Sequence, residues 1–343
     1  MKPTRLNFSV IVCCLLALWG CLQSAHSQDK DKDKDEDKPK TKISGWLRAG
    51  TEYFYNNDFR ENFYRAKVQF DVKVSDNLDA QIDVRGESDT HEMELREAYL
   101  SVDLGKAEAL DFGQSKKRFG IEFQRGKEKL LTAERTLIYR HLEPFGFAGR
   151  DVNIRYYRNA KPDGRRNGTS ISLGYSEDHN TTAVGHWTRL NTLGSLALGA
   201  SGVLQIDKIE GGTQTVWAFG AELLREGEKH HVEIEAVMGQ DPFRSEFEKS
   251  FGDGKNVYFL GGKFLYGHRL GRLEPVFVSS LLAPDVDVFE INTIELLVGL
   301  NYYAASMLRL GLNGDLLLAT STQNQDERTY AGSNVILQMQ LVW

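Results

Sequence analysis

Cysteine is confined to one end of this chain. Cys13, Cys14 and Cys21 are the only three in 343 residues, and all precede residue 22. The remaining residues can build neither a disulfide framework nor a Cys/His zinc site. Long apolar runs are also missing. Beyond residue 27 no stretch approaches the ~20 apolar residues that a membrane-spanning helix needs. Catalytic signatures are absent too. There is no Gly-x-Ser-x-Gly and no P-loop, and His91-Glu92 lacks the second histidine of a zincin. His230-His231 would direct its two rings to opposite faces. These absences disfavour zinc enzymes, nucleotide hydrolases and helical membrane proteins, and no cofactor is expected.

The N-terminus reads as a secretory signal. Lys2 and Arg5 form a charged n-region, Phe8 to Leu18 an apolar h-region, and Ala25-His26-Ser27 a small-residue cleavage site. We assign residues 1–27 to this signal. Lipidation at Cys21 is the competing outcome. Residues 28–42 follow as a tether of alternating Asp and Lys with nothing to bury, and read as a charged disordered linker.

From Ile43 to the end the pattern has period 2. Tyr64, Ala66, Val68, Phe70, Val72 and Val74 alternate with Arg65, Lys67, Gln69, Asp71 and Lys73. Such alternation makes a two-faced strand and would scatter the same residues around a helix. Repeating the exercise predicts about 16 strands, five before residue 116 and eleven after residue 150.

Two features point to a membrane barrel over a soluble sandwich. Connections after even-numbered strands are mostly short and those after odd-numbered strands include the long ones, as periplasmic turns and external loops do. Tyr258, Leu260, Gly262, Phe264 and Tyr266 share one face, with aromatics at both ends as an interfacial girdle requires. The last strand alternates to a terminal Trp343. The expectation is all-β: a transmembrane antiparallel β-barrel over residues 43–343, multi-pass in the outer membrane of a Gram-negative-type bacterium and in contact with its lipid. The negative mean hydropathy is compatible, since a barrel needs only one apolar face.

Charge is segregated. Residues 116–166 carry 14 Lys and Arg against 6 Asp and Glu, a net of +8 in a chain of net −6, so the rest is −14. Basic residues mixed with tyrosine at Arg155-Tyr156-Tyr157-Arg158 could suggest nucleic acid. Secretion and strand alternation argue against it, since Tyr156 would face lipid.

Glu97-Ala98-Tyr99-Leu100, then Asp111-Phe112-Gly113-Gln114-Ser115-Lys116-Lys117-Arg118-Phe119-Gly120, then Glu134-Arg135 and Gly149-Arg150-Asp151, resemble the phosphate-selective porin O and P family. Arg118 stands where that pattern has proline. The resemblance implies a 16-stranded barrel, a homotrimer, and a third external loop that folds into the lumen. It implies permeant anions such as phosphate or polyphosphate. Residues 116–150 are the third external loop by strand count alone.

A pore selects anions with fixed Lys and Arg charges at a constriction where ions shed water. By parity Arg65, Lys67, Lys73, Arg85 and Arg155 face the lumen. Lys116, Lys117, Arg118, Arg125, Lys127, Lys129, Arg135 and Arg140 lie on or near the loop. The leading expectation is an anion-preferring diffusion channel. A non-selective porin, a barrel enzyme and a structural barrel are the alternatives. Arg165 and Arg166 fall in a periplasmic turn, away from any constriction.

Overall fold

Every period-2 segment becomes a strand. In the computed structural model the strands close into one antiparallel barrel of sixteen, each paired with its sequence neighbours and the first with the last. The structure describes residues 40–54, 59–88, 92–159, 168–175, 181–190, 196–209, 212–243, 256–288, 292–319 and 333–343. The expected signal and the tether up to residue 39 lie outside the described residues, as do Arg165 and Arg166. The strands are β1 (Lys40–Phe54), β2 (Phe59–Ser75), β3 (Leu78–Glu87), β4 (Glu92–Gly105), β5 (Glu108–Lys116), β6 (Arg150–Arg158), β7 (Gly168–Tyr175) and β8 (Thr181–Leu190). They continue as β9 (Leu196–Ile209), β10 (Gly212–Glu226), β11 (His230–Gln240), β12 (Tyr258–His268), β13 (Leu273–Ala283), β14 (Thr293–Ala305), β15 (Leu308–Ala319) and β16 (Asn334–Val342).

The faces are inverted relative to a soluble protein. On β7, Ile171 and Leu173 are each 61% exposed, while Ser170 and Ser172 are 2% and 8% exposed. The apolar face looks out and the polar face looks in, the arrangement a hydrocarbon exterior demands. On β12, Leu260 and Phe264 are exposed outward, while Phe259, Lys263 and Leu265 are buried inward. Closure runs from Trp46 opposite Val342 to Phe54 opposite Asn334. Gly45 and Trp343 then exchange two backbone hydrogen bonds of 3.1 Å, so the terminal tryptophan completes the ladder.

One boundary and one register differ from the sequence reading. Lys40, Thr41 and Lys42, read as the end of the tether, pair with Lys73, Val72 and Asp71. Lysine at a strand end takes ladder bonds while its ammonium stays in water. On β4 the register shifts where Glu97 pairs with Asp83 and Leu95 with Val84, leaving Arg96 as an extra residue. A bulge of this kind swings a side chain to the opposite face, and Arg96 lines a lumen cavity beside Lys67 and Arg85.

The core lies inside the barrel. The connection between β5 and β6 carries helices α1 (Ile121–Gln124) and α2 (Leu137–Leu142), with a 3-10 turn at Lys127–Lys129 between them. Phe119, Phe123, Ile138, Tyr139, Leu142 and Phe147 pack against Val184, Val203, Val216, Val237 and Phe259 of the wall. The lumen face of β8–β12 is therefore apolar where this loop lies on it.

Candidate functional site

The loop is held to the wall through its own backbone. A loop crossing an aqueous lumen carries peptide groups that need partners once water is excluded. Inward-facing polar side chains supply them. Leu137 N donates to Glu295, Ile121 N to Glu235 at 3.1 Å, and Gly120 N to Ser201 at 3.2 Å. Asn301 donates to Leu131 O at 2.8 Å, Arg309 to Leu130 O at 2.6 Å, and Gln340 to Glu128 O at 2.9 Å. Arg48 donates to Ala133 O. Arg48, Arg309 and Lys263 face the lumen and escaped the sequence reading, which searched for cations near the basic block.

Ion pairs add to the clamp. Lys263 lies 3.1 Å from Glu122, 3.1 Å from Glu233 and 3.3 Å from Glu235. Arg140 contacts Glu295 at 2.5 Å and Asp315 at 3.1 Å. Arg125 pairs with Glu226 at 2.7 Å and with Glu233. Many acids of the −14 remainder thus sit in the lumen wall, opposite the loop's cations. Breaking such a buried pair is expensive because it strands a charge in low dielectric.

The loop lies against the β8–β16 wall and leaves space beside β2–β6. A cavity of about 310 Å3 occupies that space. Lys67, Lys116, Arg118, Arg125, Lys129 and Arg155 line it, against Glu97, Glu128 and Glu226. A smaller cavity shares Lys67 and Lys116 with it and adds Arg85, Arg96, Lys127, Arg135 and Arg150, with Asp83 and Glu128 as its acids. A third shares Gln81 and Tyr99 and carries Lys40, Lys42 and Lys73 against Asp71, Asp79 and Asp111. Cations thus exceed carboxylates around the first two and equal them at the third.

The structure brings six of the thirteen candidate cations around the 310 Å3 cavity, three more, Arg85, Lys127 and Arg135, around its neighbour, and Lys73 around the third. Arg65, Lys117 and Arg140 line none of them. Arg65 is held by Glu134 and by Glu87 at 3.4 Å, and Lys117 by Asp151 at 3.0 Å and Gly146 O at 2.5 Å. Arg135 donates to Glu122 O at 2.7 Å and lies over the Phe123 ring. Arg155 donates to Asp111 at 3.0 Å.

Several loop groups are electrostatically shifted. Burial pushes the Lys127 ammonium down to about 8, against the pull of Glu134 and with the push of Arg85, Arg65 and Arg48. Burial opposes the charge of Glu134, but Lys127, Arg65 and Arg48 outweigh it and hold the carboxyl well below the usual range. Glu134 is therefore an ionised counter-charge at neutral pH.

No protein-family model matches the chain, and no curated protein does. Solved structures do. The outer membrane channel DcaP of Acinetobacter baumannii superposes with a TM-score of 0.65 at 13% identity, covering 91% of this chain and 99% of that one. The anion-selective porin from Comamonas acidovorans gives 0.65 at 11%, covering 89% and 100%. OmpT, an outer membrane protein of Vibrio cholerae in its trimer form, gives 0.62 at 14%, covering 90% and 100%. The fold is a porin fold. The protein is built as a multi-pass outer-membrane β-barrel, and identities this low speak to architecture alone.

Proposed function

We propose that the protein is an outer-membrane porin whose loop-narrowed lumen passes anions in preference to cations. The permeants we assign are of the phosphate and polyphosphate type that the porin O and P resemblance implies, and the assembly we assign is a homotrimer. The excess of cations around the 310 Å3 cavity carries this reading. At a narrow point between low-dielectric walls, an excess of fixed positive charge attracts anions and repels cations. Lys67, Lys116, Lys129 and Arg155 line the path as moderate sites, which suits release as well as capture. Arg65, Lys117 and Arg140 act in this reading as clamps that hold the loop in place. The anion-selective Comamonas porin and the trimeric Vibrio protein share the fold and support the reading by analogy.

One observation favours a non-selective channel instead: the cavity at the strand ends near Lys40 balances three lysines with three aspartates. Planar-bilayer recording separates the readings. In KCl the trimer is expected to give stepwise conductance that added inorganic phosphate blocks saturably. No conductance overturns the pore, and conductance indifferent to phosphate overturns the phosphate assignment.

A further inference from the structure

Arg118 stands apart from the other cations of the cavity. It is only 5% exposed, yet it lines the 310 Å3 space. It forms no ion pair and no side-chain hydrogen bond among the described residues, and its buried Nη1 has no partner. The guanidinium lies over the Tyr157 ring, 5.3 Å from the centroid, within the field of Asp111. An unsatisfied buried guanidinium costs free energy unless something fills its donors. The other buried lumen arginines have partners, Arg155 in Asp111 and Arg48 in Gln338 and Ala133 O. Burial and the neighbouring Arg155 push the Arg118 guanidinium down to about 10, which leaves it charged at neutral pH.

Three residues of the same lining, Gln69, Gln81 and Tyr99, are neutral and polar. Tyr99 Oη donates to Gln81 Oε1 at 2.9 Å, and Gln81 Nε2 to Glu97 at 3.3 Å. Gln69 accepts from Lys67 at 2.9 Å and donates to Asp71 at 2.8 Å. These bonds fix the amides in place and leave each with a further N–H and lone pair. A fixed band of amide and phenol groups matches several hydroxyls at once, whereas acetate has no donor to offer their oxygens and hydrogen phosphate only one or two. The cavity sits at the lower end of the roughly 300–1,000 Å3 typical of small-molecule sites. A lone phosphate fills only part of it.

We propose that Arg118 anchors a binding site for small hydroxylated organic anions, its guanidinium taking the oxyanion group while Gln69, Gln81 and Tyr99 take hydroxyls. This rests on the channel reading above. The oxyanion can be a phosphoryl or a carboxylate group, since the planar fork of arginine fits both.

The test is block of single-channel chloride current by glucose 6-phosphate and gluconate, with inorganic phosphate, acetate and glucose as controls. A sugar-bearing anion is expected to block at about tenfold lower concentration than its bare counterpart, with glucose inert. Block by glucose 6-phosphate alone assigns the site to sugar phosphates, and block by gluconate alone to sugar acids. Arg118→Lys keeps the charge and removes the fork. It should lose this advantage. Gln81→Ala should narrow the advantage in the same way and leaves the loop untouched. Equal block by sugar-bearing and bare anions overturns the site, as does an undiminished advantage in Arg118→Lys or Gln81→Ala. A channel without anion preference in the KCl gradient overturns the underlying channel reading instead, so the two failures are distinguishable.

Discussion

Replacing Gly120 by alanine should release the loop from the wall without opening the barrel. Gly120 has φ 72° and ψ 167°, a region that residues with a Cβ rarely enter. An added Cβ would come within 2.5 Å of Glu235 Oε1 and closer still to Tyr139 Oη. Those two atoms anchor the start of the loop. Tyr139 Oη donates to Glu235 Oε1 at 2.6 Å, and Glu122 N donates to Tyr139 Oη at 3.0 Å. Ile121 N donates to Glu235 Oε1 at 3.1 Å. The strain costs roughly 1–3 kcal/mol, and each buried hydrogen bond lost roughly 1–3 kcal/mol more. A total of about 3–6 kcal/mol shifts the docked loop toward undocked by roughly two to four decades. Single-channel recording should then show larger, noisier conductance, with a reversal potential closer to zero. Heat-dependent gel mobility should remain that of a folded barrel, because Gly120 lies outside every strand. Conductance, noise and selectivity all matching the natural protein would refute the role given to this backbone position.

Three other outcomes are expected. Lys127 loses its charge as pH rises through about 8, so anion preference should fall between pH 7 and pH 9, and Lys127→Arg should lessen that pH dependence. The sign for stability is opposite. With its pKa depressed from the usual lysine value, this group binds fewer protons folded than unfolded between about 8 and 10.5, so its contribution to stability rises with pH in that window. Arg140→Ala strands Glu295 and Asp315 and removes a clamp on α2; limited proteolysis should find residues 117–149 more readily cut, with a loss of about 3 kcal/mol in loop docking. Deleting Trp343 removes the two backbone bonds to Gly45, and the folded fraction on heat-shift gels should drop.

The barrel was legible because a strand with one face in hydrocarbon and one in water must alternate, and residues such as Tyr64 to Val74 do. The footprint of the loop was not. Val216, Val237 and Phe259 are apolar on the lumen side, and only the loop folded over them explains why. In β10 the run Val216-Trp217-Ala218-Phe219 is apolar on both faces, a signal that a water-facing lumen could not account for. The Arg96 bulge left a trace as well, since the apolar parity is odd at Met93 and Leu95 and even at Ala98 and Leu100. The partners of the cations were beyond reach. Arg140 finds Glu295, and Lys263 finds Glu122, across more than a hundred residues of chain, and only closure of the barrel brings them together. Arg118 was visible as a departure from the porin O and P pattern, but its lack of a partner required the structure.

The reversal potential of the reconstituted channel across a KCl gradient tests the central claim most directly. The excess of Lys and Arg around the 310 Å3 cavity predicts a potential of the sign that chloride permeation sets, and Lys67→Glu should move it toward that of potassium. A potential of potassium's sign in the natural protein would contradict the account.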